Sequence, residues 1–200
     1  SKKQNDSGFE ASTEGYLPGE GCGALLLKRL SDAKRDGDEV LAVLHGVGAS
    51  NNWTERGAAI RTATERALAN SRIDPRQVRA VETLAALPQI AEAECEQVSR
   101  TLGSTDRPAP IAVNSLVSQF GYMGAAHSMA GTIKAVLAAS RQQVPSGLPH
   151  TAPRPAWPQA TEIEVAQKTI RLHQEESPVL GICCGSDEGA AYHLFVQQVS

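Results

Sequence analysis

This chain has few cysteines, little net charge and no long apolar run, and each shortage excludes a class of protein. Four cysteines occur in 200 residues. Cys183 and Cys184 are adjacent, and Cys22 and Cys95 sit inside apolar runs. That pattern is not a disulfide framework, and without a Cys-x-x-Cys pair it is not a structural zinc site; it reads as buried free thiols in a reducing compartment. Nineteen Lys and Arg stand against twenty-two Asp and Glu, a net charge of −3. No basic excess points to nucleic acid. No stretch approaches the roughly 18 apolar residues that span a bilayer. The start, Ser1-Lys-Lys-Gln-Asn-Asp, is followed by no apolar segment of the signal-peptide type. The expectation is a cytoplasmic protein with no nucleic-acid partner, no membrane partner and no metal.

What is present suits one domain with a sizeable core: 200 residues, 41% of them hydrophobic. Residues 1–19 are polar and glycine-punctuated and read as a loop. Short apolar runs at 21–30 and 40–48 predict strands. A helix follows over 58–70, with Ile60, Ala63, Ala67 and Leu68 on one stripe. Asp74-Pro75 starts a short helix, with Asp as N-cap and Pro in the first turn. A strand over 79–82, a helix over 90–102 and a strand over 110–114 come next. The helix over 125–142 is the longest, and its density of small residues predicts burial on most sides. Residues 144–158 hold five of the eleven prolines and read as an irregular loop. Strands are predicted over 164–172, 179–184 and 191–199, with Gly185-Ser-Asp-Glu-Gly as the turn between the last two. Strands alternating with helices, closed by a strand-rich tail, make an α/β layered pattern with a partly parallel sheet.

The most informative piece is Asn114-Ser-Leu-Val-Ser-Gln-Phe-Gly-Tyr-Met-Gly-Ala-Ala-His-Ser-Met-Ala-Gly-Thr-Ile-Lys134. It reads as a strand end, a tight glycine turn and the start of a helix, a place where enzymes put catalytic side chains. It resembles, without a gap, the ketosynthase segment Gly-Ser-Val-Lys-Ser-Asn-Ile-Gly-His-(Leu)-Glu-Ala-Ala-Ala-Gly…Ile-Lys. Four further segments resemble the same family in the same order. Gly15-Tyr-Leu-Pro-Gly-Glu-Gly-Cys-Gly-Ala-Leu-Leu-Leu-Lys-Arg-Leu matches a glycine-rich strand. Arg35-Asp-Gly-Asp-Glu-Val-Leu-Ala-Val-Leu-His-Gly and Ala67-Leu-Ala-Asn-Ser-Arg-Ile-Asp-Pro match two internal motifs. Val179-Leu-Gly-Ile-Cys-Cys-Gly-Ser-Asp-Glu-Gly-Ala-Ala-Tyr-His-Leu-Phe-Val matches the closing hairpin. The chain thus resembles the C-terminal half of a β-ketoacyl synthase of the thiolase superfamily, in a degenerate, chain-length-factor-like form.

The resemblance implies the C-terminal half of a thiolase-like α/β/α/β/α sandwich, a mixed sheet with flanking helices, spanning residues 1–200 as one half-domain. It implies a sheet face meant for the N-terminal half of the same fold, the half that carries the nucleophilic cysteine in this family. It also implies that acyl groups arrive on the phosphopantetheine of an acyl carrier protein, with no cofactor bound by the chain itself.

A decarboxylating ketosynthase aims two histidines at the negative charge that develops on a thioester oxygen, with a lysine in support. Here Tyr122 stands at the second histidine and Val117 at the lysine. Anchoring on Val81-Glu82 and on Glu92-Ala-Glu94 leaves the stretch between them about three residues shorter than the family's, so the His-Gly-Thr-Gly-Thr loop is gone. No histidine lies between His45 and His127 to replace it. A tyrosine hydroxyl donates one hydrogen bond and valine none. No catalytic residue is therefore assigned. Tyr122, Phe120 and Asp187 are the candidate cavity-lining residues, and Asp187 and Glu188 put negative charge where the family is glycine-rich. His127, one turn beyond Tyr122, replaces a small residue and reads as filling space or capping a carbonyl. His193 reads as structural, Cys183 and Cys184 as buried packing, and His45 and His173 lie on predicted strands with no partner cluster. Gly19-Glu-Gly-Cys-Gly precedes a strand rather than a helix, which is wrong for a phosphate loop.

The expected function is a non-catalytic, chain-length-factor-like component of a polyketide or fatty-acid synthase. It would pair with an active ketosynthase subunit or domain and shape the acyl-chain cavity. The alternative is a ketosynthase-fold acyltransferase using non-decarboxylative thioester chemistry, with Tyr122 or His127 as base.

Overall fold

The computed structural model describes Phe9 and residues 15–103, 106–107, 109–147, 162–173, 178–185 and 189–199. In chain order the helices are α1 (Leu30–Asp36), α2 (Arg56–Ser71), α3 (Pro88–Leu102), α4 (Val117–Phe120) and α5 (Ala126–Arg141). The strands are β1 (Val43–Asn51), β2 (Val78–Thr83), β3 (Ile111–Asn114), β4 (Gln143–Val144), β5 (Ile163–Val165), β6 (Ile170–Arg171), β7 (Val179–Gly185) and β8 (Ala190–Gln197). Six strands form one sheet in the order β1-β8-β7-β2-β3-β5. The β7-β2, β2-β3 and β3-β5 pairs are parallel, and β8 runs antiparallel to both β7 and β1. β4 and β6 form a separate antiparallel pair.

Period-two alternation along the strands divides the core in two. Val78, Val81, Ile111, Val113, Val179, Cys183, Ala191 and Phe195 meet α2 and α3 on one face. Ala80, Ala112, Leu180, Ile182, Cys184 and Val196 meet α5 on the other. β7 is buried at every position, as expected for a strand covered on both faces. The same alternation sends the adjacent thiols of Cys183 and Cys184 to opposite faces, and each is free.

Small residues set the close approach of helix to sheet. α2 lies on β1 so tightly that a Cβ on Gly48 would sit 1.9 Å from the Ala63 carbonyl oxygen and 2.6 Å from the Ala67 nitrogen. The start of α2 is held by Asn52, whose side-chain oxygen accepts from the backbone N–H groups of Thr54 (3.2 Å) and Glu55 (3.0 Å). Asp74 caps the 3₁₀ turn Pro75–Gln77 in a reciprocal capping box, as its sequence position predicts. α2 ends on Arg72 and α5 on Gln142, both in left-handed conformation.

Four expectations are corrected. Residues 21–30 form no strand: 21–29 are irregular, α1 begins at Leu30, and Leu26 is 98% exposed. An apolar run becomes a strand only where a sheet edge pairs with it, and no described strand lies beside this one. Cys22 shares that exposure and is not buried. The strand expected over 164–172 is two short strands in different sheets, β5 and β6. Val144, expected in a loop over 144–158, lies in β4 because Gln142–Val144 turns back against Ile170–Leu172. The remainder of that proline-rich stretch from 148, the turn residues 186–188 with Asp187 and Glu188, and most of 1–19 lie outside the described residues. The other helices and strands fall within a few residues of their predicted bounds, and the one-turn helix α4 was not predicted.

Two glycine-to-alanine variants test this packing. At Gly48 the added methyl meets helix backbone that cannot yield without α2 lifting, an overpacking cost of about 3 kcal/mol. At Gly37, where φ is 74° and nothing lies within 4 Å of the new methyl, the cost is about 1 kcal/mol from backbone strain alone. Denaturant unfolding of the intact protein should rank Gly48→Ala well below Gly37→Ala, and equal losses would contradict the packing described.

Candidate functional site

The parallel strands β2, β3 and β7 end side by side, so the segments that follow them meet. After β2 come Leu84, Ala85 and Ala86, all buried, before Pro88 opens α3. After β3 come Ser115 and the single turn of α4, then Gly121 and Tyr122. β7 ends at Gly185.

Short polar side chains tie these segments together. Thr83 Oγ1 donates to the Asn114 carbonyl at 3.0 Å. Ser115 Oγ donates to the Leu84 carbonyl at 2.7 Å and accepts from the Val117 N–H at 3.2 Å. The Asn114 side chain accepts from the Ser115 N–H and donates to the Pro145 carbonyl. Inside this frame Leu84, Ala86, Ile90 and Val117 form an apolar cluster, with Leu87 and Tyr122 packed against it.

Tyr122 is placed by its backbone. Gly121 at φ 76° turns the chain, and a Cβ there would come within 2.8 Å of the Leu17 carbonyl oxygen. Tyr122 N–H donates to the Leu17 carbonyl at 2.7 Å, and its own carbonyl accepts from Gly19 N–H at 2.9 Å. The resulting parallel bridge to Pro18 brings the 15–19 segment onto the turn. The Tyr122 ring packs edge-on against Tyr16, with centroids 4.9 Å apart, and lies 5.9 Å from the His127 ring. Phe120 faces outward, 63% exposed.

His127, in the first turn of α5, is 2% exposed, and among the described residues neither ring nitrogen has a hydrogen-bond partner, so it caps none of their carbonyls. Burial, helped by the nearby charge of Lys134, pushes its pKa down to about 4. The ring is neutral at pH 7. His193 lies elsewhere, between β8 and α2: its Nδ1 is 3.1 Å from Thr64 Oγ1, and burial pushes its pKa down to about 3. His45 is on the edge strand β1, and His173 lies just past β6. Neither joins the cluster.

Two acidic groups have roles that the sequence reading did not anticipate. Glu82, at the end of β2, faces α5 and forms a buried ion pair with Lys134 at 2.6 Å. Burial raises its pKa and the Lys134 charge opposes that rise. Glu94 of α3 accepts backbone N–H groups from Leu84, Ala85 and Gly185. The available signal was an acidic residue on the buried stripe of an otherwise amphipathic helix, since a charge there must find donors.

Known proteins agree with this architecture. The model of the β-ketoacyl synthase C-terminal domain matches residues 41–151, more than half of the chain. The chain belongs to the β-ketoacyl synthase family. A phenolphthiocerol/phthiocerol polyketide synthase protein of Mycobacterium tuberculosis is 39% identical over 157 residues, 74% of this chain and 9% of that protein. The ishigamide ketosynthase/chain length factor superposes over the whole chain with a TM-score of 0.86 at 18% identity, covering 48% of its own length. A type II polyketide synthase acyl-carrier protein in complex with its ketosynthase bound to the hexaketide gives a TM-score of 0.85 at 21% identity over 98% of this chain and 48% of that one. This chain therefore spans less than half of these proteins. The fold is the C-terminal half of the thiolase-like sandwich, as expected from the sequence.

Within this β-ketoacyl synthase framework, the three segments that resemble the family's catalytic positions carry an apolar cluster, a neutral imidazole and a phenol. The nearby buried cation, Lys134, is held by Glu82.

Two stability measurements check these electrostatics. Removing only the cation with Lys134→Met strands a buried carboxyl and should cost about 3–5 kcal/mol, while the double variant Glu82→Gln/Lys134→Met should recover much of the loss. For His127 the folded pKa lies below the ordinary 6.5, so its contribution is intact above pH 6.5 and is lost as pH falls toward 4. Between pH 7 and pH 4 the native protein should lose about 2–3 kcal/mol more than a His127→Leu variant.

Proposed function

We propose that this chain is a non-catalytic ketosynthase-like component of a polyketide synthase, which pairs with an active ketosynthase and shapes the cavity into which the acyl chain extends. The observation that carries the reading is the apolar cluster of Leu84, Ala86, Ile90 and Val117 with Tyr122 against it. Decarboxylative condensation develops negative charge on a thioester oxygen and needs convergent N–H donors. The segments that resemble the family's donor positions offer methyl groups, and a single oxyanion donor is worth about 3–4 kcal/mol. Tyr122 and the exposed Phe120 present aromatic surface suited to walling an apolar chain; Asp187, outside the described residues, is retained as a proposed member of that site. The partners are the N-terminal half of the same fold, an active ketosynthase subunit or domain, and an acyl carrier protein whose phosphopantetheine delivers the acyl group. No cofactor is assigned to the chain.

One observation favours a second reading, an acyltransferase of ketosynthase fold. His127 is a neutral imidazole with two unsatisfied nitrogens beside Tyr122, a protonation state suited to a general base. It would act with a nucleophile outside this chain.

Incubating the intact protein with a radiolabelled acyl-carrier thioester separates the two. The structural reading expects no stable covalent label on the protein, no turnover, and no gain of condensation from Tyr122→His/Val117→Lys, because the loop between Thr83 and Pro88 still lacks its donors. Covalent labelling that is lost in His127→Ala would support the acyltransferase and overturn the structural reading.

A further inference from the structure

The six-stranded sheet ends in two edge strands of different kinds. β5 at one edge is three residues long and offers little to pair with. β1 at the other edge is nine residues long, and among the described residues it pairs only with β8. A strand of that length with one side open presents a row of N–H and C=O groups to any strand that approaches. Charged side chains are a common defence, but β1, Val43-Leu-His-Gly-Val-Gly-Ala-Ser-Asn51, holds no Lys, Arg, Asp or Glu. Apolar surface lies beside it: Val47 is 57% exposed, and Tyr192, opposite Ala49, is 52% exposed. Such an edge is self-complementary, since two identical strands can pair antiparallel across a two-fold axis.

Side chains from α2 close this edge. Arg66 Nη1 donates to the Ala49 carbonyl at 2.6 Å, and Asn70 Nδ2 donates to the Val47 carbonyl at 3.0 Å. Carbonyls two residues apart on a strand point to the same side. β8 occupies one side of β1 and both bonds are exposed to solvent, so these carbonyls belong to the open side. The spacing is matched, because four residues of helix rise about 6 Å and two residues of strand about 6.6 Å. Gly48, between the two carbonyls, lets the Ala63–Ala67 stretch of α2 approach the strand. One helical turn then sets successive donors on successive outward carbonyls. Gly46 adds a second break. At φ 40° it is the extra residue where the register with β8 shifts between His45 and Val47. A bulge of this kind twists an edge away from an incoming strand.

We infer that Arg66 and Asn70 guard the β1 edge: by occupying the outward carbonyls of Ala49 and Val47 they keep a second copy of this chain from adding its own β1 there. The edge is a strand-pairing surface held shut from within the chain. Its occupant once opened is the β1 of a second copy, because an uncharged strand does not repel itself. Neither functional reading uses these residues, so the inference stands apart from both.

Arg66→Ala and Asn70→Ala remove the two donors. Both positions are exposed on α2, and alanine is the best helix former, so the helix keeps its support. Sedimentation of the intact protein over a concentration series should show the double variant self-associating about tenfold or more tightly than the native protein, since each freed acceptor can take a cross-strand N–H. Its unfolding midpoint should stay near the native one. Hydrogen exchange of the peptide Val43–Asn51 should slow as concentration rises in the double variant and not in the native protein. Arg66→Lys keeps a donor and should sediment as the native protein does. Adding Val47→Lys to the double variant puts a charge beside the edge and should abolish the association. Asn70→Ala alone, which leaves Arg66 in place, should show a smaller shift of the same sign and carries the test if the double variant unfolds. Variants that associate no more than the native protein, association that leaves exchange of Val43–Asn51 independent of concentration, or association that persists with Val47→Lys would each overturn the inference.

Discussion

Parallel pairing of β7, β2 and β3 carries the ends of three strands to one edge of the sheet, and the candidate site depends on that convergence. Each strand is fixed by its neighbours on both sides and covered by helices on both faces, so the segments leaving them cannot move apart. Ligand sites gather at the carboxyl ends of parallel strands for this reason. Here the same geometry forces the loop 84–87, the turn through α4 to Tyr122, and the end of β7 to share one small volume. Their backbone groups must be satisfied within it. Thr83, Ser115 and Glu94 do so by bonding from one segment to the next, and Asn114 by bonding Ser115 and Pro145.

That polar frame does not depend on the chemistry it encloses. Each of its four members is spent on backbone groups. The side chains of the interior can therefore vary without the loops losing their positions. In low-dielectric surroundings an unpaired donor is costly and an apolar side chain is not, so leucine, isoleucine and valine are a stable filling for the space between these segments. The Glu82–Lys134 pair, about two helical turns beyond His127 along α5, serves the packing of α5 on the sheet.

Periodicity made most of the fold legible. Buried strands such as 179–184 announce themselves because both faces are covered, and the 90–102 helix does so because one stripe is apolar. What could not be read was whether a run has a neighbour. Residues 21–30 have the composition of a strand, but strand formation is a property of the pair. The region 164–172 misled for the related reason that its two halves pair with different partners. At the site, the departures at Tyr122, Val117 and the shortened loop were visible because they break a known pattern. For Glu94 the sequence offered only an acidic residue on a buried stripe; its partners are three backbone N–H groups, and backbone donors leave no mark in a sequence. His127 shows the same limit from the other side: its position was plain, but its lack of any hydrogen-bond partner required the packing around it.

The remaining tension in the site lies between that histidine and the cluster beside it. An apolar filling alone would be served by another leucine at position 127, and the cost of burying two unsatisfied ring nitrogens would vanish. A neutral imidazole against Tyr122 has a use only if a polar group reaches it. Under the proposed function the carbonyl oxygens of a bound acyl chain would supply that group. In the proposed component Tyr122 and His127, whose rings lie 5.9 Å apart, would form a wall with one polar contact.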